Sequence, residues 1–163
     1  MTTAKKKYSE EYSQKTIAMM KMFIGKSLGG FPIPCLTKWI GGTMIEVERG
    51  LIIIEVTVTT EMTNPGGAFH GGMQCALLDD AMGWACATLG YETQFLSTNL
   101  TVDYLGTARV GDTVRVKSTI YREGSSLLHA VGEITKDDKV IAKAQSNIYI
   151  TTRPIKLNEP AEQ

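Results

Sequence analysis

The sequence predicts an α+β domain in which an antiparallel sheet wraps around one central α-helix. Three observations lead there. Between His70 and Glu92 the only charges are Asp79 and Asp80, so the helical stretch from about Gly71 to Leu89 is apolar on nearly every face and belongs in an interior. Strand-like segments flank it, two before and four after, separated by turn signals. One of them alternates strictly, Val114, Val116, Ser118 and Ile120 against Arg115, Lys117 and Thr119, which is the pattern of a half-buried antiparallel strand.

Taken in order, residues 9–28 read as an amphipathic helix. Ser9 followed by Glu10 and Glu11 makes a helix start, and Tyr12, Thr16, Met19, Met20, Phe23 and Ser27/Leu28 recur at three- and four-residue steps. Gly29-Gly30 stops it. In the stretch 31–35, Pro32 and Pro34 remove donors and fix φ, so FPIPC is a connector. Strands follow at about 38–48 and 51–61, with Arg49-Gly50 as the hairpin turn. The segment 62–69, MTNPGGAF, is a loop that leads into the central helix. Beyond that helix come strands near 94–104, 112–122, 126–136 and 139–151, divided at Gly106, Gly111-Asp112, Glu123-Gly124 and Asp137-Asp138. Residues 1–37 thus form an N-terminal helical extension, 38–151 the main domain, and 152–163 a flexible C-terminal tail.

Composition narrows the function. A chain of 163 residues with 43% hydrophobic and 21% charged residues is one ordinary globular domain. Seventeen Lys+Arg balance seventeen Asp+Glu; a nucleic-acid binder carries a basic excess, so no nucleic-acid partner is expected. Asp79 and Asp80 interrupt the longest apolar run, which excludes a helical membrane span and leaves no membrane partner. No apolar segment follows the basic start, and Cys35, Cys75 and Cys86 form no CxxC pair. The expected location is the cytoplasm. The sequence holds no GxSxG, no GxxxxGK[ST] and no HExxH, and with only His70 and His129 a histidine-rich metal site is excluded. No metal and no separate cofactor are expected.

The chemistry concentrates in Asn64 through Asp80. Asn64 offers an amide on a loop. Gly71 and Gly72 stand where the loop enters the helix, where N–H groups are unsatisfied and the dipole is positive, a place to polarise a carbonyl or hold an oxyanion. His70 is either a helix-start residue bonded to the backbone or a catalytic group. Asp79 and Asp80 are carboxylates on an apolar helix, about 100° apart around its axis, so one of them serves structure or meets solvent. Eight residues separate Gly71 from Asp79, roughly 12 Å along a helix at ~1.5 Å per residue. One small reacting group cannot touch both in one chain. A twofold dimer with neighbouring central helices would join them, and the small residues Gly72, Ala76, Gly83 and Ala87 permit close approach.

At these residues the sequence resembles the hotdog-fold thioesterases of the phenylacetic-acid-degradation type. That family's pattern is an Asn, then six residues later His-Gly-Gly, then an Asp nine residues after the His with a Leu two residues before it. Asn64, His70-Gly71-Gly72, Leu77 and Asp79 fall at those positions, and the resemblance covers about 38–150. It implies a hotdog fold and hydrolysis of acyl-coenzyme A thioesters, coenzyme A being part of the substrate. It implies Asp79 as general base or nucleophile, and the Gly71 N–H on the thioester oxygen. Asn64 and His70 of the facing subunit would position water and substrate, and Ser97 would assist the acid. Gly72, Thr98, Arg122, Ser125 and Ser126 would contact substrate, the last three at the nucleotide, with Arg109 and Lys136 as weaker candidates. It also implies a homodimer and a dimer of dimers. An acyl-thioester hydratase or dehydratase, with His70 and an aspartate as acid and base, and a non-catalytic acyl-coenzyme A binder are the alternatives. Trp39, Phe69, Met73, Met82, Trp84 and Phe95 are candidates for an acyl pocket, or for core.

Overall fold

The computed structural model describes residues 8–30 and 36–155. The first residues of the extension, the FPIPC connector with Cys35, and the end of the tail at 156–163 lie outside them. Ser9 caps α1 (Glu10–Lys21), its hydroxyl accepting from the Tyr12 N–H at 3.1 Å, with Glu10 and Glu11 in the first turn and Lys21 in the last. The helix buries Ser13, Ile17 and Met20; of the expected stripe Met20 is buried, Tyr12, Thr16 and Phe23 are half-buried and Met19 is exposed. Ser13 tolerates this because its hydroxyl donates to the Thr88 carbonyl at 2.6 Å. The helix also ends seven residues before Leu28. Gly25 takes a left-handed φ of 74° between two isolated bridges, Ile24 to Met44 and Ser27 to Thr43, and Leu28–Gly30 form a 3₁₀ turn.

A short helix, α2 (Leu36–Ile40), stands where the first strand was expected to begin. Gly41 and Gly42 then turn the chain at φ 74° and 93°. A Cβ on Gly42 would lie 2.7 Å from the Glu55 carbonyl, so only glycine lets the chain enter the sheet here. The hairpin of β1 (Thr43–Glu48) and β2 (Leu51–Thr57) follows as expected, although residues 60–62 form a 3₁₀ turn and not the end of a strand.

The central helix is α3 (Gly71–Ala87). Four strands complete the domain: β3 (Thr93–Tyr104), β4 (Thr113–Glu123), β5 (Leu127–Lys136) and β6 (Lys139–Pro154). The six form one antiparallel sheet in the order β1-β2-β4-β5-β6-β3. β6 runs to Pro154, past Thr152 where the tail was expected to begin, because Thr93 of β3 pairs with that residue.

The core lies between α3 and the sheet. Leu77, Leu78, Ala81, Met82 and Ala85 meet the inward residues of the strands, among them Ile54, Val116, Leu128, Ile134 and Ile148. Each large side chain so buried contributes about 1.5–3 kcal/mol of transfer free energy. The helix rests closely on β5, since a Cβ on Gly132 would stand 3.0 Å from Leu78 and 3.1 Å from Met82. The helix is not wrapped all round. Gly72, Asp79 and Gly83 are exposed and Ala76 is half-buried, which leaves one stripe of small residues and a carboxylate outside the core.

Candidate active site

The start of α3 is built by local hydrogen bonds. The His70 backbone is extended, and its Nδ1 accepts from the Gly72 N–H at 2.9 Å. The ring nitrogen facing the helix is therefore unprotonated, and Nε2 carries the proton in the neutral ring. Of the two readings of His70, the helix-start residue bonded to backbone is the one realised. That bond also occupies the Gly72 N–H. The Gly71 N–H takes no acceptor among the described residues, and it is the donor left at the positive end of the helix. The Tyr104 hydroxyl donates to the Gly71 carbonyl at 3.1 Å, and a Cβ on Gly71 would meet the Tyr104 ring at 3.2 Å. The Gly71–Gly72 peptide is thus held from both ends.

Asn64 shapes the preceding loop. Its Oδ1 accepts from the N–H groups of Gly66 at 3.0 Å and Ala68 at 3.1 Å, while its backbone N–H donates to the Ala68 carbonyl. The side-chain NH₂ is left as a donor.

The two aspartates part company as the helix geometry requires. Asp79 lies on the uncovered stripe, and its Oδ1 accepts from the Ser97 hydroxyl at 2.9 Å. A β-bulge between Ser97 and Asn99 separates Ser97 from its neighbour Thr98, whose hydroxyl donates to the Asn147 carbonyl at 2.8 Å. Asp80 turns the other way, to the Thr37 hydroxyl on α2, and Thr37 accepts from the Trp84 indole N–H at 2.7 Å. Burial raises the Asp80 carboxyl above its ordinary value, and hydrogen bonds from Thr37 and Trp84 pull it part of the way back. Asp79, Asp80, Gly83, Trp84, Phe95, Ser97 and Ile148 line one open cavity of about 380 Å³. Of the expected pocket residues Trp84 and Phe95 are here, while Phe69 and Met82 are core and Trp39 is exposed.

A second groove, of about 320 Å³, brings Arg122, Ser125 and Ser126 together with Gly124, His129 and Asn147. Arg122, His129 and Asn147 are cross-strand neighbours on β4, β5 and β6, with His129 Nδ1 and Asn147 Oδ1 3.1 Å apart. Lys136 is engaged elsewhere, in an ion pair with Asp112 at 2.9 Å. Sequence reasoning did not find Thr37, Tyr104, His129 or Asn147. The last two carried a signal, since both fall on the outward phase of alternating strands across from Arg122. Among the described residues no three His, Cys, Asp or Glu side chains come together to hold a metal ion. No helix there is long and apolar enough to cross a membrane.

Comparison with known proteins bears on this arrangement. Residues 66–143 match the family described as the thioesterase superfamily. The acyl-coenzyme A thioesterase PaaI of Escherichia coli K12 is 26% identical over 106 residues, 64% of this chain and 74% of the relative. The structure of the E. coli PaaI protein from the phenylacetic acid degradation operon superposes with a TM-score of 0.72 at 20% identity, over 90% of this chain and 98% of that one. A Streptococcus mutans UA159 protein bound to acetyl CoA superposes with a TM-score of 0.64 at 21% identity, over 69% of this chain and 90% of that one.

Proposed function

We propose, from the premise that the chain belongs to the hotdog thioesterase superfamily, that it hydrolyses acyl-coenzyme A thioesters to the free acid and coenzyme A. The observation that carries the reading is the Asp79 carboxylate, oriented by the Ser97 hydroxyl, on the lip of a cavity beside an uncovered helix stripe. Asp79 activates water or attacks the thioester carbon itself. Either way the carbonyl oxygen becomes an oxyanion, and a free backbone N–H at a helix start is the donor suited to it. The tetrahedral intermediate then expels the coenzyme A thiolate, which takes up the proton drawn from water. Where Asp79 itself attacked, the aspartyl anhydride so formed is hydrolysed by a water to release the free acid.

The donor and the acid come from different subunits in this reading. Gly71 is about 12 Å along α3 from Asp79 at ~1.5 Å per residue. The sheet ends on β3, whose outer edge meets no further strand among the described residues and exposes Leu96, Ser97, Thr98 and Asn99. A second copy paired along that edge sets the two helix stripes side by side and brings the partner subunit's Gly71, Asn64 and His70 to Asp79. Two such pairs make the expected dimer of dimers. The groove of Arg122, Ser125 and Ser126 supplies the local positive charge that a neutral chain needs for a phosphorylated nucleotide. The hydratase alternative loses support, because His70 spends its basic nitrogen on the Gly72 N–H. The free thiol of the buried Cys86 supports a reducing, cytoplasmic setting.

Thiol release from a panel of acyl-coenzyme A esters tests the activity. Asp79→Asn should abolish it with an unchanged thermal melt; residual turnover near wild type would refute the assignment. Sedimentation at assay concentration tests the dimer, and a fully active monomer would exclude a shared site.

A further inference from the structure

The thioesterase reading leaves one carboxyl in the cavity unused. Asp80 lines the same space as Asp79, Ser97 and Phe95. Trp84 lies four residues on, hence on the same face of α3, and the two meet Thr37 of α2 in a chain of hydrogen bonds. Among the described residues no cation pairs with Asp80, and the one charge acting on it is Asp79, of like sign. A partly buried carboxyl without a countercharge is unfavourable, and an apolar side chain would close a core at this position better. A carboxylate offers about four acceptor sites. Thr37 fills one and Trp84 backs Thr37, so acceptor capacity remains on a group that lines the cavity.

We infer that Asp80, held by Thr37 and Trp84, reads the far end of the acyl group and selects acyl chains that carry a hydrogen-bond donor over aliphatic and anionic ones. This deepens the thioesterase reading and rests on it. The carboxyl gains from a donor because no countercharge faces it and Thr37 leaves acceptor capacity open, and the direction of its pKa shift, set first by burial, agrees. Two carboxylates in one cavity repel a carboxylated acyl end for the same reason. Thr37 lies in the N-terminal extension, outside the residues 66–143 that match the superfamily. The support of the acyl-reading carboxyl thereby comes from a part of the chain that the superfamily match does not include.

Four thioesters of matched length test the inference: butyryl-, 3-hydroxypropionyl-, β-alanyl- and malonyl-coenzyme A, ending in methyl, hydroxyl, ammonium and carboxylate. The wild type should favour a donor-bearing ester over butyryl by about tenfold in kcat/KM and disfavour malonyl by a similar factor. Preference for the hydroxyl ester alone identifies a neutral donor; preference for the ammonium ester identifies a cationic one. Asp80→Asn keeps an acceptor for Thr37 but removes the charge, so the ratio of β-alanyl to malonyl turnover should fall at least about tenfold. Thr37→Val, which releases the carboxyl from its support, should lower the ratio of the preferred donor ester to butyryl. Flat wild-type ratios, or ratios unchanged in a natively melting Asp80→Asn, overturn the inference and leave the thioesterase reading standing. If Asp80→Asn does not fold, the wild-type ratios decide. Absence of cleavage for all four overturns the thioesterase reading instead, and calorimetric Kd ratios for the same esters then decide the part of Asp80.

Discussion

Removing the Ser97 hydroxyl isolates the contact that orients the proposed catalytic carboxylate. The hydroxyl donates to Asp79 Oδ1 at 2.9 Å, and the bulge that follows gives the strand its local set. A hydrogen bond to a charged acceptor is worth about 1.5–3 kcal/mol where water is excluded. Both side chains are exposed in the single chain, so ~1–2 kcal/mol is the fitting range. At about 1.4 kcal/mol per tenfold, Ser97→Ala should lower kcat/KM roughly 5- to 30-fold. The loss should fall mainly on kcat, because the bond holds the reacting group and does not touch the bound nucleotide. Ser97→Thr keeps the hydroxyl on a residue suited to a strand and should recover most of it. Initial rates of thiol release across a range of substrate concentrations give both constants. Ser97→Ala within about twofold of wild type, or Ser97→Thr as impaired as Ser97→Ala, would refute the orienting role.

Other parts of the structure make equally definite claims. Burial holds the Asp80 carboxyl above its unfolded value of 3.8, so the native state binds the extra proton between those two values. The stability that this adds is complete below 3.8 and disappears as pH rises through the higher native value. Asp80→Asn should therefore melt higher than wild type at pH 7, with the gap closing toward pH 3.5; a gap independent of pH would contradict the burial argument. The Cys86 thiol is pushed up to about 12, first by burial. Iodoacetamide at pH 8 should leave the Cys86 peptide unlabelled in native protein and label it in denaturant, as read by mass spectrometry. Gly42→Ala forces a Cβ against the Glu55 carbonyl at 2.7 Å in a backbone with φ of 93°. It should lower the free energy of unfolding by about 2–4 kcal/mol in a denaturant melt.

Periodicity and turn chemistry were enough to read most of the fold. The central helix, the β1–β2 hairpin and the last three strands follow from apolar runs and from Gly and Asp at the turns, which are local signals. The misses are non-local. Ser13 is buried because a carbonyl 75 residues away accepts its hydroxyl, so an apolar pattern finds Met20 but misses Ser13 on the buried face of α1. The segment 38–42 contains Trp39 and Ile40, which suit a strand, yet these close the helix α2 and two left-handed glycines follow. Hydropathy also places the whole of α3 in an interior, whereas the folded chain leaves Gly72, Asp79 and Gly83 exposed.

The same stripe explains how much of the site could be read. Asp79 and Asp80 are one residue apart and chemically alike, and composition cannot rank them. Spacing from His70 ranks them through a resemblance, and the helix supplies the physical ground for that ranking. A turn of about 100° carries one carboxylate to Ser97 on the open side and the other to Thr37 on the covered side. Thr37 was beyond reach because it meets Asp80 across 43 residues and lies outside the residues 66–143 that match the superfamily. Tyr104 was hidden for a related reason: nothing in the alternation of β3 says that its last residue folds over the first glycine of α3. What one chain displays is an acid with its orienting hydroxyl at one end of a helix stripe and a free N–H donor at the other. Along a straight helix no fold of this chain shortens the ~12 Å between them. In the proposed reading a second copy of the chain supplies the donor that Asp79 lacks, so thiol release should rise and fall with the dimer as the protein is diluted through its dissociation.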